Sequence, residues 1–194
     1  MGASTTPGSR GDAVLIPVKA FDRAKLRLAP ALTPSQRRRL AIEMAERVVS
    51  SAGGLTVAVV CDDDEVERWA TGLGATVICE PGRGLNGAVQ FGLLHLRAEG
   101  FATVAVVASD LPLANDIGWV TEFPGITLVP DRREDGTNVI SVPPGISFNF
   151  AYGPQSFRRH VDESRRAGAP LRVVHDSPLA WDVDVPEDLM AVAL

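Results

Sequence analysis

The chain has 194 residues, of which 45% are apolar and 22% charged, and a formal net charge of −5. This length supports one domain with a substantial core, and the 18 glycines and 14 prolines, scattered along the chain, exclude collagen and coiled-coil classes. The acidic balance would not gather nucleic acid or anionic lipid, and no apolar run approaches the roughly 18 residues needed to span a bilayer. We therefore expect a cytoplasmic protein without nucleic-acid or membrane partners.

The N-terminal residues and the cysteines predict where the domain begins and whether it contains disulfides or zinc. Residues 1–12 contain one basic side chain and no apolar stretch, which predicts a disordered N-terminal tail ahead of one domain at 13–194. Cys61 and Cys79 each end a predicted strand, and we expect both thiols to be reduced. The scattered histidines and the absence of a CxxC motif argue against a zinc site.

From residue 13 onwards, apolar runs typical of strands alternate with patterns of helical period. Strands are predicted at 13–18, 56–61, 75–79, 103–108, 126–129, 139–142, 147–151 and 171–174, the segments 139–142 and 147–151 as a pair. Helices are predicted from Thr33 to the glycines at 53–54, at 64–72, 85–98 and 155–167, and from Pro186 onwards. The alternation indicates an α/β fold, a single-domain three-layer sandwich with a mainly parallel sheet covered on both faces.

Ligands of open α/β sheets lie beyond the carboxyl ends of the strands, and a basic loop follows the first predicted strand. Lys19, Lys25 and Arg27 lie in this loop, where cations can bind phosphates. The alternative is a solvated basic loop without a ligand. The loop lacks the glycine-rich pattern and the Gly-Lys-Ser/Thr ending of a P-loop.

Three aspartates are placed where a metal ion could bind. Asp110 follows the strand predicted at 103–108, and its carboxylate is a ligand type that Mg²⁺ prefers. Asp182 and Asp184 alternate in an extended segment and share one face, so that either can complete a metal site with Asp110. The alternatives are a turn role for Asp110 and a helix-capping role for Asp184 or Asp188.

Two further segments have the composition of an anion site. Residues 135–138 form a turn sequence, and residues 152–157 open a helix with Gly153 and the hydroxyl of Ser156. Free backbone N–H groups at a helix start bind anions. The alternative is that these residues only form the start of the helix and bind no ligand. His160, further along this helix, is interpreted as a surface or packing residue rather than a base.

The segment 82–87 enters the third predicted helix and is a candidate nucleotide contact. Its glycines, including Gly87, allow a ligand close to the backbone, and Asn86 can both donate to and accept from the edge of a base. A turn followed by a helix cap explains the same residues.

Six segments in this order resemble the CofC/FbiD family of guanylyltransferases: IPVK with AKLRLAP, GRGLNGAV, SDLP, DGTN, FAYGPQSF with the later His, and DVDVPEDL. The resemblance runs from about residue 14 to 189. It implies a nucleotidyltransferase fold related to GT-A, with GTP as donor and Mg²⁺ as cofactor. The implied reaction moves GMP onto phosphoenolpyruvate or 2-phospho-L-lactate in deazaflavin coenzyme biosynthesis.

The resemblance also assigns residues. Those that bind the acceptor in the family match Thr137, Gly153 and Ser156, and its metal aspartates match Asp110 and one of Asp182 and Asp184, of which we favour Asp184. Three cations stand where other nucleotidyltransferases have a glycine-rich triphosphate loop, and they would stabilise the leaving pyrophosphate: Lys19, Lys25 and Arg27.

Several alternatives remain open at this point. We favour phosphoenolpyruvate as acceptor because the Arg-, Ala- and Val-rich composition indicates a GC-rich source, in which the family is expected to use it. Competing hypotheses are a related nucleotidyltransferase of the molybdenum-cofactor or sugar-phosphate type and a non-catalytic ligand-binding protein on the same fold. The sequence leaves a homodimer open, and lability of the product suggests a downstream transferase as partner.

Overall fold

Short runs of aliphatic and β-branched residues form a seven-stranded sheet in the computed structural model, which describes residues 10–80, 82–175 and 178–191. The strands are β1 Ala13–Pro17, β2 Thr56–Cys61, β3 Thr76–Cys79, β4 Val104–Val107, β5 Ile126–Pro130, β6 Thr137–Val142 and β7 Leu171–Val173. Their order in the sheet is β3-β2-β1-β4-β6-β5-β7. The strand β6 is antiparallel to β4 and β5, and every other described pair is parallel, which confirms the mainly parallel sheet.

Within the described residues, four α-helices and several 3₁₀ helices connect the strands. The α-helices are α1 Pro34–Ser50, α2 Asp64–Gly72, α3 Gly84–Ala98 and α4 Ser156–Arg166. The first begins as predicted, with a capping box in which the Gln36 amide donates to Thr33 and the Thr33 amide donates to Gln36. Asp63 caps the second helix by accepting from the amides of Glu65 and Val66.

Alternate residues of β1 point into two apolar cores on opposite faces of the sheet. Val14 and Ile16 pack in the core that contains the buried face of α1, whereas Leu15 packs in the core with α3. The helix α3 lies close to the sheet, because a Cβ atom on Gly92 would lie 2.7 Å from a methyl of Leu15. Helices on both faces of one sheet make the predicted three-layer sandwich.

The segment 147–151 is not a strand, and the predicted pairing with 139–142 is wrong. Its alternation is real, because Phe148 and Phe150 are buried in the core beneath α3. Its amides, however, donate to side chains of α4: Asn149 N–H to Glu163 Oε1 at 2.8 Å and Ala151 N–H to His160 Nε2 at 2.9 Å. Groups that would join a sheet ladder are therefore satisfied by a helix.

The ends of the chain also differ from the prediction. The C-terminal helix is a short 3₁₀ helix, Pro186–Ala191. The predicted tail at 1–12 extends too far, since Arg10 N–H donates to the Gly100 carbonyl and Asp12 accepts from the Thr103 amide. Residues 1–9 lie outside the described residues. Within the described ranges, no helix combines the length and the apolar character needed to cross a bilayer.

Candidate active site

The loop after β1 turns Lys25 inward through an unusual backbone conformation. Lys25 lies between the 3₁₀ helices Phe21–Arg23 and Leu26–Leu28, and its φ of +55° is in the left-handed region. This region costs a residue with a Cβ atom about 1–2 kcal/mol. Burial of Phe21 and Leu28 anchors the loop on both sides and holds the strained residue in place.

The ammonium group of Lys25 joins two aspartates from distant parts of the chain. It donates to Asp110 Oδ2, in the loop after β4, and to Asp184 Oδ1 at 3.3 Å. Arg27 Nη1 lies 3.7 Å from the other oxygen of Asp184. Burial alone would lower the pKa of Lys25, but the two carboxylates outweigh it and raise the pKa above its usual value. Lys25 is therefore a fixed positive charge at the carboxyl edge of the sheet.

Asp182 lies close enough to Asp110 and Asp184 to interact with their charges. The side chain is buried, and its Oδ1 atom has no hydrogen-bond partner in the described part of the chain. Burial, and then the negative charges of Asp110 and Asp184, raise the pKa of Asp182 to about 6. A buried carboxylate with one unpaired oxygen, beside two other carboxylates, favours the presence of a further cation.

Asp188 holds the segment that carries Asp184. Its carboxylate accepts from the amides of Asp184 at 2.7 Å and Val185 at 3.0 Å, and it pairs with Arg132 and Arg133. Although burial alone would raise the pKa of Asp188, these amides and guanidinium groups hold it well below its usual value. Of the two aspartates considered for a capping role, Asp188 takes it, and Asp184 faces Lys25.

These aspartates have the donor chemistry of a magnesium site. Within the described residues, no three Asp, Glu, His or Cys side chains are arranged to hold a metal ion, and the Lys25 ammonium lies between Asp110 and Asp184. Mg²⁺ commonly takes only one or two protein carboxylates and completes its shell with phosphates and water. The unpaired oxygen of Asp182 and the two converging carboxylates fit that requirement. The metal role itself stays a prediction.

Thr137 begins β6 at the same edge of the sheet, because β6 runs opposite to its neighbours. The turn before it is organised by Asp131, whose carboxylate accepts from the amides of Arg133, Asp135 and Gly136. A Cβ atom on Gly136 would lie 2.8 Å from Asp131 Oδ2, so a larger residue there would displace the carboxylate that organises the turn. The turn predicted at 135–138 is therefore only partly right: Asp135 and Gly136 lie in the turn, whereas Thr137 and Asn138 are the first residues of β6.

The turn before Thr137 also receives the start of α4. Asp135 accepts from the Gln155 amide through Oδ1 at 3.0 Å and from the Phe157 amide through its carbonyl at 3.1 Å. Ser156, which is buried, is thereby fixed beside the turn. Because two amides of this helix start already have acceptors in the protein, they are not open to an anion. The expectation of free helix N–H groups is to that extent wrong.

His160, interpreted from sequence as a surface or packing residue, is fully buried and makes two polar contacts. Its Nδ1 lies 3.0 Å from Thr137 Oγ1, and its Nε2 accepts from the Ala151 amide. Burial, and then the nearby Arg159 charge, lower the pKa of His160 to about 4. The available sequence signal was its position four residues after Ser156, which places both on one face of α4.

The remaining predicted residues lie around this edge. Lys19 is exposed just beyond the end of β1. Asn86 makes both polar contacts with one residue: its Oδ1 accepts from Tyr152 N–H at 2.6 Å, and its Nδ2 donates to the Tyr152 carbonyl at 3.4 Å. A Cβ atom on Gly87 would lie 2.5 Å from Arg83 Cβ. Asn86 thus joins α3 to the segment before Gly153, and its role in reading a base stays a prediction.

Comparison with known proteins shows which family the chain resembles. Residues 12–194 match the family described as Guanylyl transferase CofC like. The phosphoenolpyruvate guanylyltransferase of Sphaerobacter thermophilus is 35% identical over 188 residues, which cover 92% of this chain and 91% of that protein. The phosphoenolpyruvate guanylyltransferase of Rubrobacter xylanophilus is 35% identical over 184 residues, which cover 90% of each chain.

The fold is also found among solved structures. A protein from Desulfovibrio desulfuricans G20, described as a nucleotide-diphospho-sugar transferase, matches with a TM-score of 0.71 at 17% identity. The match covers 92% of this chain and 84% of that protein. At this level of identity the likeness concerns the fold, and it confirms the predicted nucleotidyltransferase architecture. Since the family match spans almost all of the sequence, the chain belongs to the CofC-like guanylyl transferase family.

Proposed function

We propose that this protein transfers GMP from GTP to phosphoenolpyruvate and releases pyrophosphate. Support for the acceptor comes from the names of the relatives, which are phosphoenolpyruvate guanylyltransferases. The observation that carries the proposal is the convergence of Asp110 and Asp184 on Lys25 at the sheet edge where Thr137 begins β6. A charged centre and a set of hydroxyl groups on one edge are what phosphoryl chemistry on a small anion requires.

In the proposed reaction, an oxygen of the acceptor phosphate attacks the α-phosphorus of GTP. A new P–O bond forms, the bond between the α-phosphorus and the bridging oxygen breaks, and its electron pair leaves with pyrophosphate. The attacking phosphate is already ionised, so that no general base is needed. This is consistent with His160 being buried and paired with protein groups rather than facing a reacting atom.

The protein's part in this reaction is binding and charge neutralisation. Lys25 would neutralise the triphosphate from its fixed position, with Arg27 and the exposed Lys19 nearer to solvent. Mg²⁺ bound by Asp110 and Asp184, with Asp182 as the alternative ligand, would supply positive charge to the phosphate oxygens. We also propose that Asn86 and Gly87 contact the nucleotide.

The acceptor is proposed to bind at Thr137, the Gly153 amide and Ser156. The hydroxyl groups are buried at the start of β6 and at the start of α4, which are joined through Asp135. Gly153 has a φ of +117°, a conformation that favours glycine and leaves its backbone uncovered by a side chain. We also propose that the protein acts in the cytoplasm and that its labile product passes to a downstream enzyme.

The test offers GTP, Mg²⁺ and equal amounts of phosphoenolpyruvate and 2-phospho-L-lactate to the purified protein and identifies the adducts by mass spectrometry. We expect GMP joined mainly to phosphoenolpyruvate, with one pyrophosphate per adduct, and much slower turnover with ATP, CTP or UTP. A contact worth about 1–3 kcal/mol would be enough to select between the acceptors. Dominant 2-phospholactate adduct would correct the acceptor, and no adduct with any nucleotide would refute the proposal.

A further inference from the structure

The hydrogen-bond partners of His160 determine which ring nitrogen carries its hydrogen. The Ala151 amide can only donate, and it lies 2.9 Å from Nε2, so that Nε2 must accept. In a neutral imidazole the hydrogen then resides on Nδ1. The Nδ1 atom lies 3.0 Å from Thr137 Oγ1, so the ring donates to the threonine hydroxyl oxygen.

The surroundings of His160 hold this arrangement in place. The ring is fully buried, and its centre lies 5.0 Å from that of Tyr152 and 5.8 Å from that of Phe148. The depressed pKa of His160, about 4, keeps the ring neutral at physiological pH, with burial as the main cause. The Ala151 amide is backbone, and no side-chain rotation removes it from the ring.

This direction of donation decides what Thr137 can offer to a ligand. A hydroxyl group has one hydrogen and two lone pairs. With one lone pair engaged by His160, the Thr137 hydrogen is free to point away from the ring. In the opposite tautomer, Thr137 would donate to Nδ1 and would present only lone pairs to an approaching anion, which would repel it.

We infer that His160 is a positioning residue that fixes the Thr137 hydroxyl as a hydrogen-bond donor to the anionic acceptor. The inference rests on the proposed function, because it takes Thr137 as an acceptor-binding residue. It assigns to His160 no proton transfer and no contact with a reacting atom. Its role is to orient one hydroxyl hydrogen before the acceptor arrives, which removes an ordering step from binding.

The first test measures the tautomer in the wild-type protein and does not depend on activity. Long-range ¹H–¹⁵N NMR of the histidine-labelled protein distinguishes a ring with hydrogen on Nδ1 from one with hydrogen on Nε2. His160 is assigned by the signal that is lost in a His160→Gln or His160→Asn variant. We expect the Nδ1–H tautomer between pH 6 and 8, in accord with the low pKa of His160, about 4. The Nε2–H tautomer, or a protonated ring, would overturn the inference.

The second test separates orientation from structural support by two variants of the same residue. His160→Asn keeps a donor near the position of Nδ1, whereas His160→Gln keeps an acceptor near the position of Nε2. We expect His160→Gln to raise the KM for the acceptor about tenfold with an unchanged KM for GTP, and His160→Asn to remain closer to wild type. Equal changes in both KM values, or the same acceptor KM in both variants, would overturn the inference.

The outcomes distinguish this inference from the proposed function. If the wild type makes the adduct and His160→Gln keeps the wild-type acceptor KM, the inference fails and the proposed function stands. If the wild type makes no adduct, the proposed function fails and the inference falls with it, whatever tautomer the spectrum shows. If neither variant folds, the wild-type tautomer decides.

Discussion

Two regions at the same edge of the sheet are built in opposite ways. The charged centre, formed by Lys25, Asp110, Asp182 and Asp184, is held by opposite charges on loops and is partly open to solvent. The hydroxyl cluster, formed by Thr137, Ser156 and His160, is buried on a strand and a helix, and a neutral hydrogen bond joins His160 to Thr137. Under the proposed function, we expect the first region to stabilise charge and the second to orient a small anion.

Both regions include strained backbone. The non-glycine residues with positive φ in the described ranges are Lys25, Glu134 and Gln155. The first carries the central cation, the second lies in the turn before Thr137, and the third precedes Ser156. Such strain persists where the surrounding structure enforces it and is concentrated at functional sites. The edge that carries both regions therefore stands out by backbone geometry as well as by charge.

The largest expected effect is at the charged centre. Asp110→Asn keeps the shape of the side chain but removes a charge that faces Lys25, and we expect kcat to fall at least about a hundredfold. The measurement is pyrophosphate release at saturating GTP and acceptor. The matched control is Asp162→Asn, since Asp162 is exposed on α4 and pairs only with Arg165 among the described residues. Full turnover by Asp110→Asn would remove the charged centre from the mechanism.

A pair of variants at Lys25 tests charge and strain separately. Lys25→Ala and Lys25→Gly both remove the ammonium group, and we expect each to lower kcat about a hundredfold. The glycine variant should be more stable to unfolding than the alanine variant by about 1 kcal/mol, because φ of +55° strains alanine and not glycine. Urea unfolding measures the difference. Equal stabilities would contradict the role of strain in this loop.

At the hydroxyl cluster we expect a smaller effect that is confined to the KM for the acceptor. Thr137→Val removes the hydroxyl and should raise the acceptor KM about tenfold while the KM for GTP stays unchanged, since one hydrogen bond to a charged group is lost. Thr137→Ser, which retains the hydroxyl, is the control. A shift in both KM values for Thr137→Val would show that the two regions are not separate in function.

The smallest expected effect is a loss of stability on substitution of Glu163, which lies on the same helix as Ser156 and His160. This effect depends on pH. Hydrogen bonds from Arg166, and then from Asn149, lower the pKa of Glu163 to about 2. A lowered carboxyl pKa adds stability that is complete above about pH 4.5 and is lost as the pH falls towards 2. We expect Glu163→Gln to be less stable than wild type by about 1 kcal/mol at pH 7, with a difference that narrows below pH 4.5. A constant difference between pH 7 and pH 3.5 in chemical unfolding would contradict this.

Local patterns predicted the seven strands and the four α-helices of the described residues, although they also predicted a strand at 147–151 that does not form. Strand periodicity and the capping box of α1 depend on neighbouring residues, which a single sequence contains. Asp110 and Lys25 follow strands that end at the same edge, so parallel topology brings them together. The sequence predicted a metal site at the aspartates and phosphate contacts at the cations, but it did not predict the ion pairs of Lys25 with Asp110 and Asp184.

The features that were missed depend on hydrogen-bond partners in other elements, from 9 to 56 residues away in the chain. The segment 147–151 alternates as a strand does, but its amides pair with Glu163 and His160 of α4. Asp188, which accepts from the amides of residues 184 and 185, also pairs with two arginines that lie more than fifty residues away in the chain. A periodic pattern reports which face is buried and does not report which group satisfies a buried amide or carboxylate.

The most direct test of the account is ³¹P NMR of the wild-type protein mixed with GTP, phosphoenolpyruvate and Mg²⁺. We predict that an unsymmetrical diphosphate and free pyrophosphate appear together in equal amounts, that neither appears when the acceptor is omitted, and that both form at least about a hundredfold more slowly when Asp110 is replaced by Asn. Conversion of GTP to GDP and phosphate, or no consumption of phosphoenolpyruvate, would contradict the claim that these two regions form one guanylyltransferase site.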